Sequence, residues 1–336
     1  GETGTMIGYH AASVIADAYL KGIRGYDAEK ALDAMIRSSN INKKGSEYYV
    51  AQGFIPSNVC RESVSCALEY AYDDWAVARM AEAMGRTETA REYDRRALNY
   101  VRVFDGATRF FRGRQADGGW SEPFDEFMAG RDYTEATPWQ YRFFAPHDVN
   151  GLEQLFGGRE AFVRELDRLF TLESPHEDAG LVDITGLMGQ YAHGNEPSHH
   201  MAYLYSYVGQ PWKTQELTRR LLDEMYAPTP EGIIGNEDCG QMSAWYIFSS
   251  LGFYPVCPGS GQYVVGAPLV QRATITLENG KKIDIETSDN AADNYYIQRL
   301  IVNGKNYEHN YFLHSDLIKG RKLRFDMGSK PNKTRG

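Results

Sequence analysis

Cysteine is scarce: four in 336 residues, Cys60, Cys66, Cys239 and Cys257, with no CxxC pair among them. That spacing excludes zinc ribbons and thioredoxin-type redox centres. Cys60 with Cys66, or Cys239 with Cys257, could form a disulfide if the protein is exported; otherwise all four are ordinary thiols. No stretch approaches the ~18 consecutive apolar residues of a membrane helix, and no signal peptide opens the chain. The first residues, Gly1-Glu2-Thr3-Gly4-Thr5, also lack an initiator methionine, so the chain is expected to be a piece of a longer protein. Positive charge is in deficit, 36 Lys and Arg against 45 Asp and Glu, a formal net charge of −9. With no basic run interleaved with aromatics, nucleic acid and anionic membranes are poor partners, and a neutral or cationic ligand fits better. GxSxG, P-loop and dinucleotide fingerprints are missing too, which removes the reaction classes they serve.

What is present is an ordinary globular balance, 42% hydrophobic and 24% charged, in a chain long enough for a sizeable core. Aromatics are plentiful at 13%, with 23 Tyr and 5 Trp, and many stand beside glycine or polar residues, a composition suited to sugar faces. To about residue 255 the apolar spacing is helical. Helices are expected at MIGYHAASVIADAYLKGI, YDAEKALDAMIRSS, ESVSCALEYAYDDWAVARMAEAMG, TETAREYDRRALNYVRVFD, REAFVRELDRLF, SHHMAYLYSYVG, KTQELTRRLLDEMY and GQMSAWYIFSSLG. From 256 to 336 the pattern becomes β-branched and alternating, broken by Asn-Gly at 279–280 and 303–304, so a small antiparallel β-region is expected there. One stretch, AVARMAEAMGRTETAREYDRRALNY, has the look of a tetratricopeptide unit, but no second copy follows one period later.

Four connections concentrate acids, glycines and aromatics: GGWSEPFD (118–125), RDYTEATPWQY (131–141), HGNEPSHH (193–200) and GNEDCGQMSAW (235–245). Function gathers on loops held by rigid elements, although helix capping accounts for some of the acids. In HGNEPSHH, HExxH is absent and Pro197 prevents one helix from running through His193, Glu196, His199 and His200. Three readings stand for this loop: structural histidines, a zinc site, or oxygen ligation of a hard ion such as calcium through Asn195 and Glu196. Once nucleophilic motifs are removed, paired carboxylates remain, with Glu135, Glu196, Glu237 and Asp238 as the pool.

The runs GNEDCGQMSAWYIFSSLGFYPVCPGSGQYVVGAP, HGNEPSHHMAYLY, YTEATPWQYRFFAPHDV and GYHAASVIADAYLKG together resemble glycoside hydrolase family 92, from about residue 7 to 333. The resemblance implies a calcium-dependent, inverting exo-α-mannosidase built as an (α/α)6 toroid. That toroid would be incomplete here, with about eight helices in place of twelve and the family's N-terminal β-sandwich absent. Residues 1–255 would be the helical catalytic region and 256–336 the β-rich region. By resemblance Glu135 is the general acid and Asp238 the general base. Asn195 and Glu196 would hold calcium, while Trp139, Gln140, His193 and Asn236 would contact sugar; Asn236 stands where the family often carries a second aspartate. A mannose-containing glycan with α-1,2-linkages is the implied substrate, and export from a bacterium the implied location. The rival readings are another (α/α)6 carbohydrate enzyme, such as a phosphorylase or lyase, and a carbohydrate-binding or scaffold module without turnover.

Overall fold

The computed structural model describes residues 6–173 and 183–335. The chain divides into two compact units, Gly1–Ala192 with Pro258–Ser260, and His193–Cys257 with Gly261–Gly336.

The first unit is helical. It contains α1 (Ala11–Leu20), α2 (Ala28–Ser38), α3 (Ser46–Gln52), α4 (Ser63–Ala83) and α5 (Thr87–Ala97), then a 3-10 segment at Leu98–Val103. A short hairpin, β1 (Phe104–Asp105) and β2 (Phe110–Phe111), leads to α6 (Pro138–Tyr141), α7 (Val149–Leu155), α8 (Arg159–Thr171) and a second hairpin of β3 (Leu187–Met188) and β4 (Tyr191–Ala192). Helix α4 is the axis of this unit. Small residues such as Ala67, Ala71, Ala76, Ala78 and Ala81 recur around its circumference, so neighbouring helices approach it from several sides and most of it is buried. Helices α1, α2 and α5 pack on it, α5 through a single stripe of Ala90, Tyr93, Arg96 and Ala97. Gly85 takes φ +75° directly after α4, a conformation that stops a helix at little cost only for glycine.

Three carboxylates, Glu69, Asp73 and Asp74, are buried on α4. Buried carboxylates require partners, and each has them. Arg96 Nε donates to Asp74 at 2.8 Å, and the Tyr9 hydroxyl donates to the same carboxylate. Burial still outweighs these bonds and pushes Asp74 up to about 7. His10 bridges Glu69 (2.7 Å) and Asp73 (2.9 Å), and the two acids hold it well above the ordinary histidine range.

His147 behaves in the opposite way. Its ring lies among Tyr72, Trp75 and Tyr100, its Nε2–H donates to the Ala97 carbonyl at 3.0 Å, and its Nδ1 is buried without a partner. Burial pushes it down to about 4. Between pH 6.5 and 4 the folded state therefore binds fewer protons than the unfolded chain, and stability falls as pH drops through that window, by up to about 2 kcal/mol for a partly shielded group. We expect His147→Phe, which keeps the ring packing, to be less stable at pH 7 because Ala97 loses its donor. Its thermal midpoint should nevertheless fall less steeply between pH 6.5 and 4; an unchanged slope would show that His147 does not titrate there.

The second unit holds a 3-10 turn at Glu196–Ser198, a longer 3-10 segment at Met201–Val208, α9 (Pro211–Glu224), α10 (Gln241–Leu251) and two sheets. The α-helix expected at SHHMAYLYSYVG is thus a 3-10 segment, in keeping with its run of three tyrosines, which are weaker helix formers. The three-stranded sheet, in the order β11-β6-β5, is formed by β5 (Phe253–Tyr254), β6 (Gln262–Val265) and β11 (Tyr311–Leu313). The five-stranded sheet, in the order β10-β9-β12-β8-β7, comprises β7 (Arg272–Thr276), β8 (Lys282–Ser288), β9 (Tyr296–Val302), β10 (Lys305–Asn306) and β12 (Arg321–Gly328), the last preceded by the short helix α11 (His314–Leu317). Neighbours are antiparallel except β8 and β12, which run parallel. Asn303 and Gly304 turn β9 into β10 with φ +50° and +79°, as a type I′ hairpin demands. Ile285, Ile297, Leu300, Leu323 and Phe325 form the core beneath.

Candidate active site

The segment 131–141 belongs to the first unit and is held at both ends. At its start, the first-turn amides of α4 donate backward, Glu62 N to Arg131 O (2.7 Å) and Val64 N to Asp132 O (3.0 Å). At its end Thr137 caps α6, and the Gln140 amide oxygen accepts from the Thr137 backbone N–H (2.7 Å), completing a capping box. Glu135 lies between these anchors, partly exposed, at φ +52°. A non-glycine residue in the left-handed region costs conformational energy and persists only where its surroundings impose it.

Two residues of this segment expected to meet sugar do something else. Trp139 is fully buried, edge-on to Phe110 (centroids 5.1 Å apart) and under the guanidinium of Arg142 (4.4 Å). Gln140 is 2% exposed, and its amide NH2 donates to Gln190 O at 2.6 Å. One packs and the other caps; neither offers a surface to a ligand.

The HGNEPSHH and GNEDCG loops lie in the second unit, against each other. A Cβ on Gly235, at φ +73°, would come within 2.6 Å of the Gly194 carbonyl oxygen, so only glycine permits this approach. Asn195 caps the 3-10 turn that carries Glu196, its side-chain oxygen accepting from Glu196 N at 3.2 Å. Pro197 sits inside that turn.

His193 and His199 are structural. His199 Nε2–H donates to the His193 carbonyl (2.9 Å), and its Nδ1 accepts from the Gln241 amide (3.1 Å), so both ring nitrogens are committed. Burial pushes His199 down to about 4. His193 was expected to touch sugar. It is instead fully buried, edge-on to Trp245 with centroids 4.5 Å apart and bonded through Nε2 to the Tyr226 hydroxyl (2.8 Å), and burial pushes it down to about 2. Among the described residues no group of three or more His, Cys, Asp or Glu could hold a metal. What these loops offer is oxygen: the amide of Asn195 and the carboxylate of Glu196. That donor set fits a hard cation that draws most of its ligands from water, backbone carbonyls or a bound hydroxyl compound, and it does not fit zinc.

In GNEDCG the acids divide their work. Glu237 accepts from Gly240 N (2.6 Å) and from the Ser243 hydroxyl (2.7 Å), so it caps α10, and those bonds lower its pKa. Asp238 is exposed, at φ +51°, and is followed by Cys239 at φ +56°. Among the described residues its carboxylate has no hydrogen-bond or ion-pair partner. Asn236 is exposed beside it. All four cysteines are free thiols.

The glycosyl hydrolase family 92 catalytic domain profile matches residues 1–329. The chain belongs to glycosyl hydrolase family 92. A family 92 α-mannosidase of Bacteroides thetaiotaomicron, solved alone and in complex with mannoimidazole, is similar at TM-score 0.96 and 42% identity, over 100% of this chain and 45% of its own. A family 92 inverting mannosidase of the same organism is similar at TM-score 0.91 and 39% identity, over 100% of this chain and 48% of its own. A curated relative from Arthroderma benhamiae, named an uncharacterized secreted glycosidase, is 27% identical over 369 residues, 97% of this chain and 46% of its own length. The chain therefore spans about half the length of these relatives. Over the matched part its fold is theirs, and this chain is mainly helical with a small β-region after the helices.

Sequence reasoning missed the polar face of α4. The signal was legible in ALEYAYDDWA, where three acids interrupt an alanine-rich helix that composition alone marks as buried.

Proposed function

We propose that this chain is the catalytic part of an exo-acting α-mannosidase that releases terminal α-linked mannose from glycans with inversion, α-1,2-linkages included. The observation that carries the reading is the matched conformation of the two acids nominated by the family motifs. Glu135 and Asp238 each occupy a left-handed position, φ +52° and +51°, on loops fixed to helix ends. Backbone strain of this kind gathers at functional sites. Membership in family 92 and likeness to an α-mannosidase seen with mannoimidazole and to an inverting mannosidase support it further.

In this reading Glu135 gives its proton to the departing glycosidic oxygen, and Asp238 takes a proton from the water that attacks C1 from the opposite face. One water then adds as the aglycone leaves protonated, and the anomeric configuration inverts. Asn195 and Glu196 would hold a calcium ion, which when bound would ligate neighbouring sugar hydroxyls. Trp139 packs behind the 131–141 segment in the first unit, and His193 behind the HGNEPSHH loop in the second. Export fits the secreted name of the Arthroderma relative, and no helix among the described residues is long and apolar enough to cross a membrane.

The test uses the intact natural protein with α-1,2-linked mannobiose. Proton NMR should show β-mannose as the first product, and EDTA should abolish release until calcium is restored. First-formed α-mannose would contradict inversion, EDTA-resistant turnover would contradict the calcium role, and mannose 1-phosphate formed only with added phosphate would mean a phosphorylase.

A further inference from the structure

Ser65, Glu69 and Asp73 are spaced four apart on α4 and so form one stripe along the helix. Two sets of hydrogen bonds run along that stripe. Thr134 N–H donates to Ser65 Oγ at 2.9 Å. Tyr141 donates to Glu69 Oε1 at 2.8 Å, and Glu69 Oε2 meets His10 Nε2 at 2.7 Å. His10 Nδ1 meets Asp73 Oδ1 at 2.9 Å, and the other Asp73 oxygen accepts from Tyr9 N at 2.7 Å. Gly8 is required at the far end, because a Cβ there would come within 2.4 Å of His10 Nε2.

Thr134, held by Ser65, and Tyr141, held by Glu69, stand on either side of Glu135 in sequence. Ser65 is 0% exposed and Tyr141 1%, so no water can replace the serine hydroxyl. A second tie is parallel to the first: Thr134 Oγ1 donates to Glu62 Oε1 at 3.1 Å, and Lys44 holds the other Glu62 oxygen at 2.8 Å. From this geometry we infer that Ser65 and Tyr141 are positioning residues, which through α4 fix the left-handed turn at Glu135 and so aim its carboxyl. The inference rests on reading Glu135 as the general acid. In this geometry the aim of the acid is set on one side by a buried serine on another helix and on the other by the Tyr141-Glu69-His10 chain.

Misplacing a catalytic group by about 1 Å costs up to ~100-fold in rate. The loss should depend on how much the leaving group needs a proton. In the intact natural protein, Ser65→Ala and Tyr141→Phe should lower kcat on α-1,2-mannobiose by roughly 10- to 100-fold, with KM nearly unchanged. On 2,4-dinitrophenyl α-mannoside, whose leaving group departs unprotonated, the loss should be under about threefold. Tyr49→Phe is the control for destabilisation alone, since its lost hydroxyl bond goes to Arg96 O, away from this loop; its two substrates should change in parallel.

If Glu135→Gln discriminates between the substrates while Ser65→Ala and Tyr141→Phe, folded by circular dichroism, do not, the positioning role is wrong and the acid assignment stands. If Glu135→Gln itself fails to discriminate, the acid assignment falls, and the positioning role with it.

Discussion

Glu135→Gln in the intact natural protein should lower release of mannose from α-1,2-mannobiose by roughly 10²- to 10⁴-fold, the range that positioned acid–base catalysis supplies. Glutamine keeps the size and hydrogen-bonding capacity of glutamate but carries no acidic proton for the departing oxygen. An activated aryl mannoside should recover much of the lost rate, because its leaving group departs as a stable anion. Asp238→Asn should lose a similar factor on both kinds of substrate, because activation of water is needed whatever leaves. Azide should restore turnover in that variant and yield the β-mannosyl azide, since an anionic nucleophile needs no base. Wild-type rates in either variant would overturn the assignment. Equal losses on both substrates in Glu135→Gln would reassign that residue from proton donor to binding group.

The second large effect concerns stability. Arg96→Met should destabilise the first unit by about 3–5 kcal/mol, the cost of leaving one member of a buried ion pair alone. Arg96 reaches into the α4 face from α5, and its Nε bond to Asp74 balances a carboxylate with no exposure to solvent. Without the guanidinium, Asp74 either stays ionised in a dry site or takes up a proton. Its folded-state pKa is already raised to about 7, so protonation is the accessible route, and the variant should recover part of its stability as pH falls from 7 toward 4. Adding Asp74→Asn should recover a good part of the loss at neutral pH. Urea midpoints for the two single variants and the double variant measure this directly. If Arg96→Met and the double variant are equally unstable at pH 7, the loss comes from packing around Tyr49 and Tyr93, which the guanidinium also covers.

Helix periodicity located most of the helices, because an apolar stripe must repeat with the turn of the helix that buries it. It erred at SHHMAYLYSYVG, where a tighter 3-10 path carries the same apolar residues inward. The site residues divide similarly. Glu135 and Asp238 stand out by motif, and their φ angles add a conformational reason that no spacing could give. Trp139, Gln140 and His193 looked like sugar contacts because tryptophan, glutamine and histidine serve that purpose in open clefts. Whether such a side chain meets a ligand or the core depends on which neighbours close over it. Phe110, Gln190 and Trp245, distant in sequence, close over these three.

The sequence alone determined the family, the helical character, the β-region after the helices, and the pool of carboxylates, because each is written in local patterns or in long motifs in fixed order. Tertiary structure decided which polar residues are walls and which are accessible. It committed the nitrogens of His199 to the backbone and to Gln241, leaving oxygen as what the HGNEPSHH loop offers a cation. It also tied both flanks of Glu135 to α4, Thr134 to Ser65 and Tyr141 to Glu69. The reason is physical: burial and hydrogen-bond satisfaction are properties of contacts between residues far apart in the chain, and those contacts exist only once the chain has folded.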